Sequence, residues 1–146
     1  MLRVLRGEQP HQAWLQFGGV ETLESYGFNG DLDFLPPEHV KFFESLVDYH
    51  AEEDVFFTHA AYDPSLPLDQ QPGDALRWQT LRDGIPPPHI SGAMAVVGHT
   101  ADLDGEVLDA GHLICIDTFC YGGGYLTALD VRNRAVWQVT QDGHLR

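Results

Sequence analysis

The chain has 146 residues, with 22 acidic against 8 basic side chains and a formal net charge of −14. Nucleic acid and anionic lipid both require a basic face, so this balance argues against either as a partner and predicts repulsion of phosphorylated ligands unless a cation intervenes. Apolar residues are 43% and charged residues 21%, a globular balance, and the length suits one domain over 1–146 whose core does not depend on disulfides.

From the start, Met1 to Arg6 predicts a helix without an N-cap, ended by Gly7. The segment is too short and too charged for a secretory signal. A second helix is expected over His11 to Phe17, broken by Gly18-Gly19, and a third over Val20 to Tyr26, stopped by Gly27. Asn29-Gly30-Asp31 reads as a turn. Pro36-Pro37 then opens the clearest helix, expected to run to about His50, because proline suits a first helical position. Its apolar stripe is Val40, Phe43 and Val47, flanked by Phe42, Leu46 and Tyr49.

The period then changes. Val55-Phe56-Phe57-Thr58 is a short β-favouring run, as expected of a parallel strand buried on both faces, and His59 follows it directly. Residues 63–74 read as loop, Ala75 to Leu81 as a helical turn, and Pro86-Pro87-Pro88 as a stiff connection. Ala93 to Val97 is a second buried strand, leading into Gly98-His99-Thr100. Beyond it an antiparallel meander is expected: strands over Leu113 to Thr118, Tyr125 to Val131 and Ala135 to Thr140, with turns at Gly122-Gly123-Gly124 and Arg132-Asn133. No internal repeat occurs, and no apolar run reaches the ~20 residues that span a bilayer. The two cysteines, Cys115 and Cys120, lie in an apolar stretch with no second pair to build a four-sulfur site, so they read as buried, reduced thiols of a cytoplasmic protein.

His59 and His99 share one local setting, each just past a short apolar strand. Ligands of open α/β sheets bind at such strand ends, and neutral imidazole is a common ligand of Mn, Fe or Zn. Either histidine taken alone also suits a hydrogen-bonded structural role. Two nitrogens are fewer than the four to six ligands of a divalent ion.

Five motifs in order carry a resemblance: Phe57-Thr58-His59-Ala60, Leu76-Arg77-Trp78, Val96-Val97-Gly98-His99-Thr100, Cys115-Ile116-Asp117-Thr118 and Gly123-Gly124-Tyr125-Leu126-Thr127-Ala128-Leu129. They resemble the C-terminal portion of a calcineurin-like metallophosphoesterase, and more narrowly the bacterial serine/threonine phosphoprotein phosphatases. Trp14-Leu15, Gly18-Gly19, Thr22-Leu23 and Ser25-Tyr26-Gly27 match the stretch that follows that family's Gly-Asn-His-Glu motif.

The resemblance implies a mixed α/β (α+β) fold, a metallophosphoesterase β-sandwich flanked by helices, here lacking its N-terminal βαβ units. It implies that His59 and His99 bind one ion of a two-metal centre, with Mn, Fe or Zn as the divalent ions, whose water attacks a phosphoester. The substrate would be a phosphorylated protein or a small phosphoester. A phosphate-holding arginine is expected two positions after Trp78; Thr80 stands there, so Arg82 or Arg77 would have to serve, a guanidinium being able to donate two parallel bonds to phosphate. A surface ion pair is the alternative for either arginine.

Other departures are Ala61, Ala101 and Phe119 where the family has Gly, Pro and Gly. Asp117 reads as a structural acceptor rather than a ligand. Tyr121 suits either the mouth of the site or an exposed turn.

The family's three earlier motifs, Gly-Asp-x-His-Gly, Gly-Asp-x-x-Asp-Arg-Gly and Gly-Asn-His-Glu, do not occur. Asn29, Asn133, Gly30-Asp31 and Gly73-Asp74 have the wrong neighbours. The chain thus reads as a truncated copy, with at most partial metal binding and little activity alone, because two imidazoles without a bridging carboxylate leave the repulsion between two cations uncompensated. Truncation predicts an exposed sheet edge open to self-association. Three readings differ in what they predict. A phosphatase would act on phosphopeptide, a dinucleoside polyphosphate hydrolase with the same motifs would act on a dinucleoside tetraphosphate, and a non-catalytic remnant would only bind a partner. An unrelated acidic α/β domain would show no convergence of the two histidines.

Overall fold

The apolar run Val55–Thr58 does form a strand, and the fold is laid out around it. The computed structural model describes residues 1–31 and 33–146. They divide into two compact units, Met1–Leu46 and Val47–Arg146.

The first unit is helical: α1 (Leu2–Leu5), α2 (His11–Trp14), a π-helical turn over Leu15–Gly19, α3 (Val20–Ser25) and α4 (Pro37–Ser45). The expected break at Gly18-Gly19 occurs, with Gly18 at φ +84°, a conformation open to glycine at no steric cost. The Asn29 carboxamide accepts from the Asp31 N–H, closing the expected turn. Tyr26 packs edge-on against Phe34 and bonds His39 Nδ1 at 2.8 Å. Arg6 pairs with Glu44. The helix opened by Pro36-Pro37 is shorter than its apolar stripe suggests. It ends at Ser45, Leu46 is already extended at ψ 140°, and Val47 is exposed.

The second unit holds a five-stranded sheet in the order β1-β2-β3-β5-β4. Its strands are β1 (Tyr49–Ala51), β2 (Val55–Thr58), β3 (Met94–Val97), β4 (Leu108–Asp109) and β5 (Leu113–Cys115). The three central strands are parallel, with Phe57 opposite Val96 and Val97 opposite Cys115. The short strands β1 and β4 run antiparallel at the two edges. Two expectations are corrected here. Tyr49–Ala51 is strand rather than the end of a helix, because its backbone pairs with β2. Leu113–Cys115 pairs parallel to β3 rather than opening a meander. The antiparallel hairpin does form further on, as a separate ribbon of β6 (Leu126–Leu129) and β7 (Val136–Val139).

Helix α5 (Gly73–Trp78) begins earlier than its apolar residues suggest, because Pro72 serves as its N-cap residue in extended backbone. It sends Leu76 into the core beside Phe56, Tyr62, Leu81, Ala95, Val97, Leu113 and Cys115. Side chains from both faces of the parallel strands are buried, as their unbroken apolar runs require. Among the described residues no helix is long and apolar enough to cross a membrane.

The loop into the ribbon is fixed by Thr118. Its buried hydroxyl donates to the Tyr125 carbonyl and lies 2.5 Å from Thr127 Oγ1. Gly124 is pressed against the same segment: a Cβ there would stand 2.1 Å from the Thr118 carbonyl oxygen. That neighbour is backbone and cannot swing aside. Gly124→Ala is therefore expected to destabilise the unit by about 1–3 kcal/mol, as overpacking does, read as a lower urea midpoint with faster amide exchange in β6.

Candidate metal-binding site

The parallel register aligns the C-terminal ends of β2 and β3, and each end carries an imidazole. His59 follows Thr58 directly, while His99 lies two residues past Val97. The Gly98 N–H donates to the His59 carbonyl at 2.9 Å, carrying the pairing one step beyond the strands. The two rings thereby converge, with centroids 5.0 Å apart and His59 Nε2 at 3.2 Å from His99 Nδ1.

That distance has two chemical meanings. It is a hydrogen bond if one nitrogen carries a proton. It also fits two ligands of a single ion: metal–nitrogen bonds of ~2.0–2.1 Å at angles between a right angle and the tetrahedral value put the nitrogens roughly 2.8–3.4 Å apart. Burial holds the His59 pKa below the ordinary imidazole value, the neighbouring His99 lowers it further, and the Asp117 carboxylate partly opposes both. His59 is thus favoured in the neutral form, the one with a lone pair to offer.

His99 sits on an unusual backbone. Its φ is +64°, and the Thr100 N–H reaches back to the Gly98 carbonyl at 2.7 Å. This is the γ-turn with positive φ, the rarer and more strained of its two forms. A non-glycine residue so placed costs about 1–3 kcal/mol and persists only where its surroundings hold it there. Trp78 meets the His99 ring edge to face at 5.9 Å.

The rings border a cleft of about 350 Å³ with Gly98 and Asp117, walled by Phe57, Val96 and Ile116. Asp117 accepts weakly from the Phe119 N–H through one carboxylate oxygen. Among the described residues no group of three or more histidines, cysteines or carboxylates is placed to hold an ion. The donor set therefore fits two ligands of one ion and does not supply a two-ion centre.

Of the two candidate arginines, Arg77 shares a recess with His59 but is paired to Asp48, both side chains about half exposed. A pair of that exposure contributes about 0–1 kcal/mol. Arg82 lines a different recess with Thr100 and Asp117, and its guanidinium has no ion-pair partner among the described residues. Neither guanidinium bonds to either imidazole. Tyr121 is exposed and packs edge-on against Phe119. Both cysteines are free; Cys115 is buried, while Cys120 is half-buried rather than enclosed as expected. Burial raises the Cys115 thiol pKa. Two residues beside His99, Thr100 and Cys115, carry contacts that sequence reasoning missed. A histidine directly after Gly98 was the one available signal, since histidine is enriched at positive φ.

No protein-family profile matches the sequence, and no curated protein matches it. Among solved structures the chain is similar to the crystal structure of a candidate diadenosine tetraphosphatase, at 21% identity and a TM-score of 0.58. The match covers 91% of this chain and 67% of that one. At that identity the likeness is one of fold. What the two share is a mixed α/β architecture, here with a mixed sheet and few helices.

Proposed function

We propose that the chain forms part of a metal-dependent phosphoesterase, a hydrolase in which His59 and His99 hold one divalent ion. The observation that carries this reading is the 3.2 Å approach of two imidazole nitrogens at the ends of adjacent parallel strands. A divalent ion bound there, Mn, Fe or Zn by donor type, would supply Lewis-acid polarisation of a phosphoryl oxygen and a more acidic bound water. The chain's own contribution is narrower. His59 offers Nε2 in its neutral form, His99 offers Nδ1 from a fixed turn, and Asp117 stands with them in the same open cleft.

A guanidinium would orient the phosphate. Arg77 is one candidate because it shares a recess with His59, and a phosphate would have to draw it from Asp48. Arg82 is the second candidate. Two nitrogens are fewer than the four to six ligands a divalent ion takes, so this donor set is expected to fall short of catalysis by itself.

Two substrate classes fit. The motifs favour a phosphoserine or phosphothreonine protein. The name of the similar solved structure favours a dinucleoside polyphosphate. The test is calorimetric titration of the 146-residue chain with Mn²⁺ and Zn²⁺, together with hydrolysis assays on p-nitrophenyl phosphate, a phosphopeptide and diadenosine tetraphosphate. One ion per chain and no turnover are expected. Turnover by this chain in the presence of EDTA, or no ion bound at all, would overturn the reading. If DNA upstream of the Met1 codon encodes the earlier motifs in frame, the longer protein is expected to turn over, and its preferred substrate decides between the two classes.

A further inference from the structure

We infer that Thr100 and Cys115 are positioning residues that clasp the left-handed turn at His99 and so aim its ring at His59. The inference rests on the metal reading only for its functional consequence; the clasp itself is geometry.

Thr100 secures the turn from one side. Its Oγ1 accepts from the Leu81 N–H at 2.9 Å and lies 3.3 Å from Thr80 Oγ1, tying the turn to the segment that follows α5. Cys115 secures it from the other side. Its Sγ lies 3.7 Å from the Gly98 carbonyl oxygen and 3.6 Å from that of Thr100. Those carbonyls flank His99, so one thiol hydrogen is shared between both shoulders of the turn. Cys115 is itself fixed in β5 opposite Val97 and is 3% exposed. A third anchor is the bond from the Gly98 N–H to the His59 carbonyl, which links the two ligand positions through backbone.

None of these side-chain bonds belongs to the sheet ladder. They meet at one residue whose φ an L-amino acid resists. Without them the backbone at 99 is free to relax toward negative φ, and that rotation carries the imidazole away from His59. The distinction from general packing is testable because each clasp residue has a substitution that keeps its bond. Thr100→Ser retains the acceptor and Thr100→Val removes it; Cys115→Ser retains a donor and Cys115→Ala removes it.

The readout is NMR of the metal-free chain: the nuclear Overhauser contact between the two rings, and imidazole ¹⁵N shifts that report the tautomer of each. Wild type is expected to show the contact and one tautomer per ring. Thr100→Val and Cys115→Ala are expected to lose the contact and average the tautomers while the amide spectrum stays dispersed. Thr100→Ser and Cys115→Ser are expected to keep both signatures. In a Co²⁺ titration the two bond-deleting variants should bind at least about tenfold more weakly, the scale of outer-partner effects on metal sites.

Unchanged ring signatures in Thr100→Val and Cys115→Ala would overturn the inference. Should those two variants unfold, the serine pair decides, and a wandering ring in either would overturn it as well. A wild-type chain with the ring contact and its variant sensitivity, yet no affinity for Co²⁺, would support the clasp and count against the metal reading.

Discussion

Phe56→Ala is expected to lower the stability of the unit 47–146 by about 3–5 kcal/mol, the range for emptying a buried aromatic site. Phe56 is fully buried at the middle of β2, between Ala51 and Ala95 in register. Its ring meets Tyr62 edge to face at 5.2 Å and His89 at 5.1 Å. Neither neighbour can collapse into the gap. The Tyr62 hydroxyl is held by the Pro87 carbonyl, and His89 is tied at both nitrogens, to Ser91 Oγ and to the Leu66 carbonyl. Small domains hold only about 5–15 kcal/mol in total, so the variant should be substantially unfolded in mild urea. Urea titration followed by circular dichroism measures the loss. A midpoint within error of wild type would show that the parallel core does not rest on this ring.

The second large effect concerns the site. His59→Ala or His99→Gly is expected to weaken Mn²⁺ and Zn²⁺ binding by more than about a hundredfold, beyond the 10–100-fold that outer partners cost. Each deletes one of two nitrogens, and a single remaining imidazole has no chelate partner. Glycine is chosen at 99 because the backbone there has positive φ, so the variant tests the donor without adding strain. Calorimetric titration gives the affinity, and circular dichroism shows whether the fold persists. Retained affinity in both variants would place any bound ion elsewhere.

The sequence makes the central strands legible because parallel strands buried on both faces are unbroken apolar runs. Val55–Thr58 and Met94–Val97 stand out for that reason. The edges are another matter. Tyr49–Ala51 is a three-residue segment carrying a histidine, it continues the spacing of the helix before it, and only its pairing with Phe56, Phe57 and Thr58 makes it a strand. Leu108–Asp109 is two residues long. The direction of Leu113–Cys115 depends on a partner far away in sequence, which local pattern does not encode. The same divide holds at the site. Two histidines at strand ends are local facts, so the pair was visible. The bonds from Leu81 to Thr100 and from Cys115 to the shoulders of the turn link residues about 15–20 positions apart, and no spacing rule announces them.

The γ-turn at position 99 sets two kinds of fitness against each other. Glycine there would relieve the backbone and yield a sturdier protein with one donor fewer. Every substitution that the chain tolerates well at this point removes the group for which the strain is kept. Selection for robustness alone would therefore drift toward an inert protein, and retention of histidine here is the mark to look for in sequences that still use this cleft.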